Sequence, residues 1–170
     1  MSHLSLHRLA VETMNVPGTE PWHAEPSGPA VTVMTDFRER ASVTVAETVT
    51  IDAALLHMRH AGVRSAFAID EERHVVVGLI TAYDITSEKP LLLSVHTPRS
   101  QVLVRDIMQR IPDWSVVDYA DLGRTTVAAV ARLFSEAGVT HIPVVESDAH
   151  GARVLRGLLS AARIKKLLAT

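Results

Sequence analysis

The sequence predicts an α/β (α+β) fold in which two copies of a β-α-β-β-α unit, related by a pseudo-twofold axis, share a core. The first observation is an internal repeat: TIDAALLHMRHAGVRSAFAID from Thr50 aligns without a gap on TVAAVARLFSEAGVTHIPVVE from Thr126. The second is a change of hydrophobic period within each copy, from helical spacing to strand-like runs. The third is size, because a unit of this length buries too little apolar surface to be stable alone. Two copies packed together are therefore expected.

Each copy begins with a predicted strand, near Ser42–Ala46 in the first and near Trp114–Asp118 in the second. A helix follows, because a Thr precedes apolar residues at helical spacing and a glycine comes after them. The glycine is expected to end the helix, since glycine tolerates a positive φ. The apolar stripe of each helix is formed by Ile51, Ala54, Leu55 and Met58 in the first copy and by Val127, Val130, Ala131 and Phe134 in the second.

A strand, a polar turn and a second strand follow each helix. The predicted strands are Ser65–Ile69 and Val75–Ile80 in the first copy, and His141–Val145 and Val154–Leu159 in the second. The alignment then resumes with GLITAYDI at 78–85 over GLLSAARI at 157–164. Each of these motifs is expected to begin a short helix, which completes the unit.

The N-terminal part of the chain differs from both copies. Residues 15–30 contain four of the eight prolines and two glycines, a composition that disfavours regular hydrogen-bonded structure. We therefore predict an extended arm or linker at residues 1–30, a first repeat at 31–95 and a second repeat at 96–170.

Composition excludes several classes of protein. The 170 residues are 47% hydrophobic, which is incompatible with a disordered chain. The 17 Lys and Arg are scattered and balanced by 19 acids, so no nucleic-acid partner is predicted. There is no cysteine for a disulfide or a thiolate metal site. The N-terminus does not resemble a signal peptide, and no apolar run reaches the roughly 20 residues of a membrane span. A soluble, cytoplasmic protein without a membrane partner is expected.

The repeated block, VRDIM at 104–108, HIPVVE at 141–146 and the motif that closes each copy together resemble the CBS domain. A tandem pair of CBS domains is called a Bateman module, and the resemblance covers about Val31 to the C-terminus. It implies a regulatory protein that binds an adenosine-containing ligand between its repeats: AMP, ADP or ATP, or alternatively S-adenosylmethionine or NAD. It also implies a homodimer, since two such modules commonly pair.

Thr81 and Asp84 in GLITAYDI have two interpretations. A Thr followed three residues later by an acid just before a helix is the pattern of a capping box. The resemblance implies a second role, in which the Thr hydroxyl contacts a phosphate and the Asp accepts hydrogen bonds from ribose hydroxyls. The two roles are compatible, because a helix N-terminus also favours an anion.

The second copy departs from this pattern. Ser160 keeps the hydroxyl, but Arg163 stands where the resemblance requires the ribose-binding acid. An arginine cannot accept a hydrogen bond. The second site is therefore expected to be empty, to hold a more anionic ligand, or simply to carry a solvated arginine.

The segment that begins the first paired strand of each repeat is the expected base-facing wall. By resemblance, the wall consists of Ser65 and Ala66 in the first copy and of His141 and Ile142 in the second. His141 is either a donor to a phosphate or a structural hydrogen-bonding residue. Phe67 is either part of the first pocket or a core residue.

No catalytic or metal site is predicted. His57 and His60 lie three residues apart on the first helix, but no third ligand is recognisable nearby. Phosphate-loop, dinucleotide-binding and nucleophile-elbow motifs are absent, and so is any recognisable nucleophile or general base. We therefore do not expect an enzyme.

Two functional hypotheses follow. The first is a non-enzymatic sensor that binds an adenine nucleotide and acts on an effector protein in trans. The alternative is a protein-interaction or scaffold dimer without a physiological nucleotide, in which Thr81 and Asp84 form only a helix cap.

Overall fold

The computed structural model describes residues 8, 13–14, 20–93 and 96–169. The strands are β1 (Thr35–Asp36), β2 (Thr44–Ala46), β3 (Ser65–Asp70), β4 (Val75–Thr81), β5 (Gln109–Arg110), β6 (Val117–Asp118), β7 (His141–Ser147) and β8 (Arg153–Ser160). The helices are α1 (Ile51–His60), α2 (Ala82–Thr86), α3 (Lys89–Leu93), α4 (Val104–Ile107), α5 (Tyr119–Leu122), α6 (Val127–Ala137) and α7 (Ala161–Leu168). None of the helices in these residues is long and apolar enough to cross a membrane.

The strands form two four-stranded sheets, with the orders β2-β3-β4-β5 and β1-β8-β7-β6. In each sheet the long paired strands are antiparallel, and the strand that precedes the repeat's main helix joins in parallel. The predicted β-α-β-β-α order is therefore confirmed in both repeats. The two repeats even share an irregularity, because the register shifts between Ala68 and Ile69 and, at the aligned position, between Val144 and Val145.

The main helices begin and end as the sequence predicts. Thr50 caps α1 and Thr126 caps α6, each accepting a hydrogen bond of 3.3 Å from a backbone N–H of the first turn. Gly62 and Gly138 follow these helices with φ values of 68° and 65°. A side chain is disfavoured at that backbone conformation, so glycine allows the chain to turn into the next strand.

The first strand of each repeat is shorter than predicted. β2 begins at Thr44, although the carbonyl oxygen of Val43 still accepts the N–H of Phe67 in β3 at 2.9 Å, and β6 begins at Val117. Trp114 donates its indole N–H to the carbonyl oxygen of Gln109 at 2.9 Å and packs in the core between the sheets. The backbone N–H of Trp114 donates to the carbonyl oxygen of Ile111 at 3.1 Å, so Trp114 ends the turn at 111–113 instead of beginning the strand.

The core that the two repeats share has three parts. One cluster of buried side chains lies within each repeat, between its sheet and its helices. A third cluster joins Phe67 and Leu79 of one sheet to Leu158 of the other. Phe67 is only 2% exposed and meets Phe37 edge to face at 5.5 Å, so it is a core residue. Each sheet thus has helices on one face and the other sheet on its opposite face.

Each sheet is completed by a strand from the segment that precedes the other repeat. β1 pairs with β8, and β5 pairs with β4. Val33 and Met34, which precede β1, lie in the core of the second repeat, while Val104 and Ile107 lie in the core of the first. The two repeats are therefore not independent units.

The described part of the predicted arm packs on the second repeat. Ala24 is buried and donates its N–H to the carbonyl oxygen of Leu167 at 3.0 Å, and Ala30 is fully buried. Trp22, in contrast, is 77% exposed. Residues 1–7, 9–12 and 15–19 lie outside the described residues, and the domain boundaries at 30/31 and 95/96 stay a prediction.

Gly78 and Gly157 occupy matching places where an edge strand approaches closely. A Cβ at Gly157 would lie 2.5 Å from the carbonyl oxygen of Thr35 and 2.6 Å from the sulfur of Met34. A Cβ at Gly78 would lie 2.6 Å from the sulfur of Met108. Glycine at these positions allows the exchanged strands to pair.

We therefore expect Gly157→Ala to lower the free energy of unfolding by about 2 kcal/mol, because the added methyl group overpacks a contact with backbone. Urea denaturation measures this change. Gly123→Ala is the matched control, since its Cβ would meet no atom closer than 3.7 Å. Equal stability of the two variants would contradict the proposed close contact.

Candidate functional site

A cavity of about 600 Å³ lies between the two repeats, where α2 and α7 begin. Its size falls within the roughly 300–1,000 Å³ of small-molecule sites. The described residues that line it are Leu55, Met58, Arg59, Gly62, Val63, Arg64, Thr81, Ala82, Tyr83, Thr86, Thr140, His141, Ser160, Ala161 and Ala162. Both repeats therefore contribute to a single cavity.

Thr81 ends β4 and caps α2, and it forms the predicted capping box with Asp84. The Asp84 N–H donates to Thr81 Oγ1 at 3.1 Å, and the Thr81 N–H donates to Asp84 Oδ2 at 3.0 Å. The Thr81 hydroxyl also donates to Oδ2 at 2.7 Å. These reciprocal bonds satisfy backbone donors that the start of a helix would otherwise leave unpaired.

The second oxygen of Asp84 has a partner as well. Lys89 Nζ forms an ion pair with Asp84 Oδ1. Thr81 and Asp84 are each only 2% exposed. The hydroxyl-bearing turn thus lines the cavity, whereas the carboxylate lies behind the cavity wall.

Ser160 occupies the matching position at the start of α7 and makes no side-chain capping bond. It also lines the cavity, opposite Thr81. The first amides of both helices already donate to backbone carbonyl oxygens, Ala82 to Arg64 at 2.8 Å and Ala161 to Thr140 at 3.0 Å. The helix dipoles still favour negative charge in the cavity that the two helix starts face.

Arg163 does not reach this cavity. It lines a second cavity of about 750 Å³, and its Nη1 lies 3.3 Å from Oε2 of Glu20 in the N-terminal segment. Burial lowers the pKa of the Arg163 guanidinium from its ordinary value. The structure therefore separates Arg163 from Ser160, which the sequence had placed in one site.

His141 is the first residue of β7 and pairs with Ser160 across the β7–β8 ladder. Its Nδ1 lies 3.0 Å from the hydroxyl oxygen of Thr140. Burial lowers the pKa of His141 below 6.5, and the negative charge of Asp84 opposes part of that shift. His141 therefore links the two repeats electrostatically, because Asp84 belongs to the first.

The other predicted wall residues lie outside the cavity lining. Ser65 pairs with Thr81 across the β3–β4 ladder, so its backbone is next to the site. Ala66 and Ile142 are buried in the cores of the first and second repeat, with exposed fractions of 1% and 2%. Their side chains pack in these cores, so only backbone groups of these two residues are available to a ligand.

Two arginines that the sequence analysis missed, Arg59 and Arg64, line the cavity. Arg64 could have been found, since it directly precedes the predicted wall residue Ser65. No acidic side chain is among the described residues that line the cavity. Its lining is therefore cationic. Within the described part of the chain, no group of three or more His, Asp or Glu side chains is arranged to hold a metal ion.

A sequence model of the CBS domain matches residues 32–90 and 104–170. These two ranges cover most of the chain and contain the capping box of the first repeat and its counterpart in the second. The chain belongs to the CBS domain family. The predicted tandem CBS pair, or Bateman module, is confirmed.

Solved CBS domain structures share this fold. A putative signal-transduction protein with CBS domains from Burkholderia ambifaria is 20% identical with a TM-score of 0.54, over 75% of this chain and 82% of that chain. CBSX2 from Arabidopsis thaliana in complex with AMP is 22% identical with a TM-score of 0.52, over 85% of this chain and 94% of that chain. A hexameric CBS-CP12 protein from bloom-forming cyanobacteria is 22% identical with a TM-score of 0.54, over 80% of this chain and 65% of that chain. No curated protein matches the chain. At these identities, the comparison supports the CBS fold alone.

The lowered pKa of His141 predicts a pH dependence of stability. Between pH 6.5 and that lowered pKa, the unfolded chain binds a proton that the folded CBS pair does not. The free energy of unfolding therefore decreases as pH falls through 6.5 and stops decreasing below the lowered pKa. His141→Gln should flatten this slope, as measured by urea denaturation between about pH 5 and 7.5. His57→Gln, on an exposed helix face, controls for the substitution, and an unchanged slope in His141→Gln would contradict the prediction.

Proposed function

We propose that this CBS protein is a non-enzymatic sensor that binds an adenine nucleotide of the AMP, ADP or ATP class in the cavity between its repeats. The observation that carries the proposal is the convergence of two helix starts, two arginines and His141 on one cavity without acidic lining residues. Such a cavity has the size and the charge for a phosphorylated small molecule.

The phosphate end of the ligand is expected at the two helix starts. Ser160 presents its hydroxyl group there, whereas Thr81 would have to release Asp84 Oδ2 to donate its own, and Arg59 and Arg64 supply positive charge. Charge-assisted hydrogen bonds from guanidinium to phosphate are stronger than neutral ones. The same cations disfavour S-adenosylmethionine, which carries a positive charge and no phosphate. NAD, with its two phosphates, stays a less favoured alternative.

The ribose end is expected at Asp84. A carboxylate can accept hydrogen bonds from two neighbouring hydroxyls, and the capping box fixes its position. The base would then lie along the backbone of the paired strands, near Ser65, Ala66, His141 and Ile142. CBSX2, which shares the fold, has been solved with AMP, and this supports an adenine nucleotide as the ligand.

We expect one nucleotide per chain. Arg163 cannot accept a ribose hydroxyl, and it lies in a different cavity beside Glu20. The second repeat therefore contributes Ser160 and His141 to the shared cavity instead of forming an equivalent ribose site.

We propose that ligand binding changes the surface of a cytoplasmic homodimer. This changed surface then acts on an effector protein in trans. The ligand can shift the population only toward the arrangement that it binds better. A site shared by both repeats meets this requirement, because their relative position determines the shape of the cavity. The hexameric CBS-CP12 protein, with the same fold, shows that CBS proteins assemble into oligomers.

The alternative is a protein-interaction or scaffold dimer with no physiological nucleotide. One observation favours it: both carboxylate oxygens of Asp84 already have partners within the chain, and Asp84 is buried. Under this alternative, Thr81 and Asp84 only stabilise the start of α2.

Calorimetric titration of AMP, ADP, ATP, S-adenosylmethionine and NAD separates the two proposals. We expect saturable binding of one adenine nucleotide per chain to the wild type and its loss in Asp84→Ala. The variant should also lose about 1 kcal/mol of stability with its cap. Asp106→Ala is the matched control, because Asp106 likewise accepts a backbone N–H at the start of a helix, from Leu103 at 2.8 Å, but lies away from the cavity.

Absence of binding by wild-type protein confirmed to be free of copurified nucleotide would overturn the sensor proposal and favour the scaffold. Equal binding by the wild type and a folded Asp84→Ala variant would instead leave a nucleotide site but remove Asp84 from it.

Arg64→Ala tests the phosphate end of the site. We expect AMP affinity to fall roughly tenfold, since one charge-assisted contact is lost. The sensitivity of the affinity to salt should fall as well, because one cation no longer takes part. Calorimetry at two ionic strengths measures both effects, and Arg73→Ala, in the exposed β3–β4 turn, is the control. A greater loss in Arg73→Ala than in Arg64→Ala would contradict this assignment.

A further inference from the structure

Both carboxylate oxygens of Asp84 have partners within the chain before any ligand binds. Its Oδ2 accepts two hydrogen bonds from Thr81, from the backbone N–H and from the hydroxyl. Its Oδ1 is paired with the ammonium group of Lys89. The Asp84 side chain is 3% exposed, whereas that of Lys89 is 45% exposed. Lys89 therefore covers the one carboxylate oxygen that the capping box does not use.

A ribose hydroxyl can reach Asp84 only at this second oxygen, because Oδ2 has no remaining acceptor capacity. The ammonium group of Lys89 takes one of the two acceptor sites of that oxygen and competes with a hydroxyl for it. Lys89 is also the partner that can move, since half of its side chain is in solvent and Asp84 is held by the cap. A hydroxyl that replaces the ammonium would still leave the buried carboxylate hydrogen-bonded.

Lys89 is the first residue of α3. This helix lies in the connection between the two repeats, which runs from residue 87, after α2, to residue 103, before α4. The other side of this connection is held by Arg99, whose guanidinium donates to the carbonyl oxygen of Ile85 at 3.2 Å. Both contacts therefore attach the connection to α2, the helix that begins at the cavity.

α3 is short and partly exposed. It contains five residues, and a helix that short is not stable on its own. Pro90 is buried, but Leu91 and Leu92 are 60% and 76% exposed. The contact between Lys89 and Asp84 is thus one of the contacts that position this apolar surface, together with buried Pro90.

We propose that Lys89 competes with the ribose of the nucleotide for the Asp84 carboxylate. Nucleotide binding then releases α3 from α2. This inference rests on the proposed nucleotide site. It makes Lys89 a residue that sets the affinity of the sensor, and it makes the connection between the repeats the first element to respond to the ligand.

Lys89→Met tests the inference, because methionine keeps an unbranched apolar side chain and removes the ammonium. In the ligand-free protein, hydrogen exchange of a peptide covering 86–93 should be faster in Lys89→Met than in the wild type. AMP affinity by calorimetry should be roughly three- to tenfold higher, since the competing contact is gone. Lys89→Arg keeps the positive charge and should behave as the wild type, and Lys165→Met on α7 is a control for loss of a lysine.

Addition of AMP to the wild type should also accelerate exchange in 86–93, and AMP should cause no further acceleration in Lys89→Met. AMP binding that leaves exchange in 86–93 unchanged would overturn the release of α3 while the proposed function stands. Unchanged or weaker AMP binding by a folded Lys89→Met variant would overturn the competition. Absence of AMP binding by the wild type would overturn both the competition and the proposed function. The exchange rates of ligand-free wild type and Lys89→Met would then show only whether Lys89 anchors α3.

Discussion

The exchange of edge strands is the constraint on which the rest of the structure depends. The segment before each repeat completes the sheet of the other repeat, and each exchanged strand lies against a glycine, Gly78 or Gly157, that leaves room for it. Such pairing fixes the two sheets relative to each other, together with the cluster of Phe67, Leu79 and Leu158 between them. It also brings the starts of α2 and α7 to one cavity, since both helices leave the ends of the paired strands.

A buried arginine reinforces one of these exchanged strands. Arg156 on β8 is 6% exposed, forms ion pairs with Asp36 of β1 and with Glu146 of β7, and has its guanidinium carbon 4.5 Å from the ring centre of Tyr119. Burying a charge is costly unless it is paired, and the two carboxylates supply that pairing. The first repeat has Val77 at the aligned position, so the ionic contact is specific to the N-terminal strand.

The two repeats carry opposite charges at the third position of their second helices, and each charge is paired with a residue outside its repeat's core. Asp84 is paired with Lys89 of the connection, and Arg163 is paired with Glu20 of the N-terminal segment. The repeats have therefore diverged into one site that can accept hydrogen bonds and one that cannot. This divergence is the basis for proposing a single nucleotide in a nearly symmetric fold.

The sequence by itself determined the repeat, the order of strands and helices, and the capping box at Thr81, because hydrophobic period, helix caps and turn glycines act over a few residues. Only the tertiary structure decided which side chains meet. In the folded protein Thr81, His141 and Arg64 line one cavity and Arg163 lines another. Asp84 is paired with Lys89. Contacts of this kind depend on how the two sheets are packed, and the separation of residues along the chain carries little information about that packing.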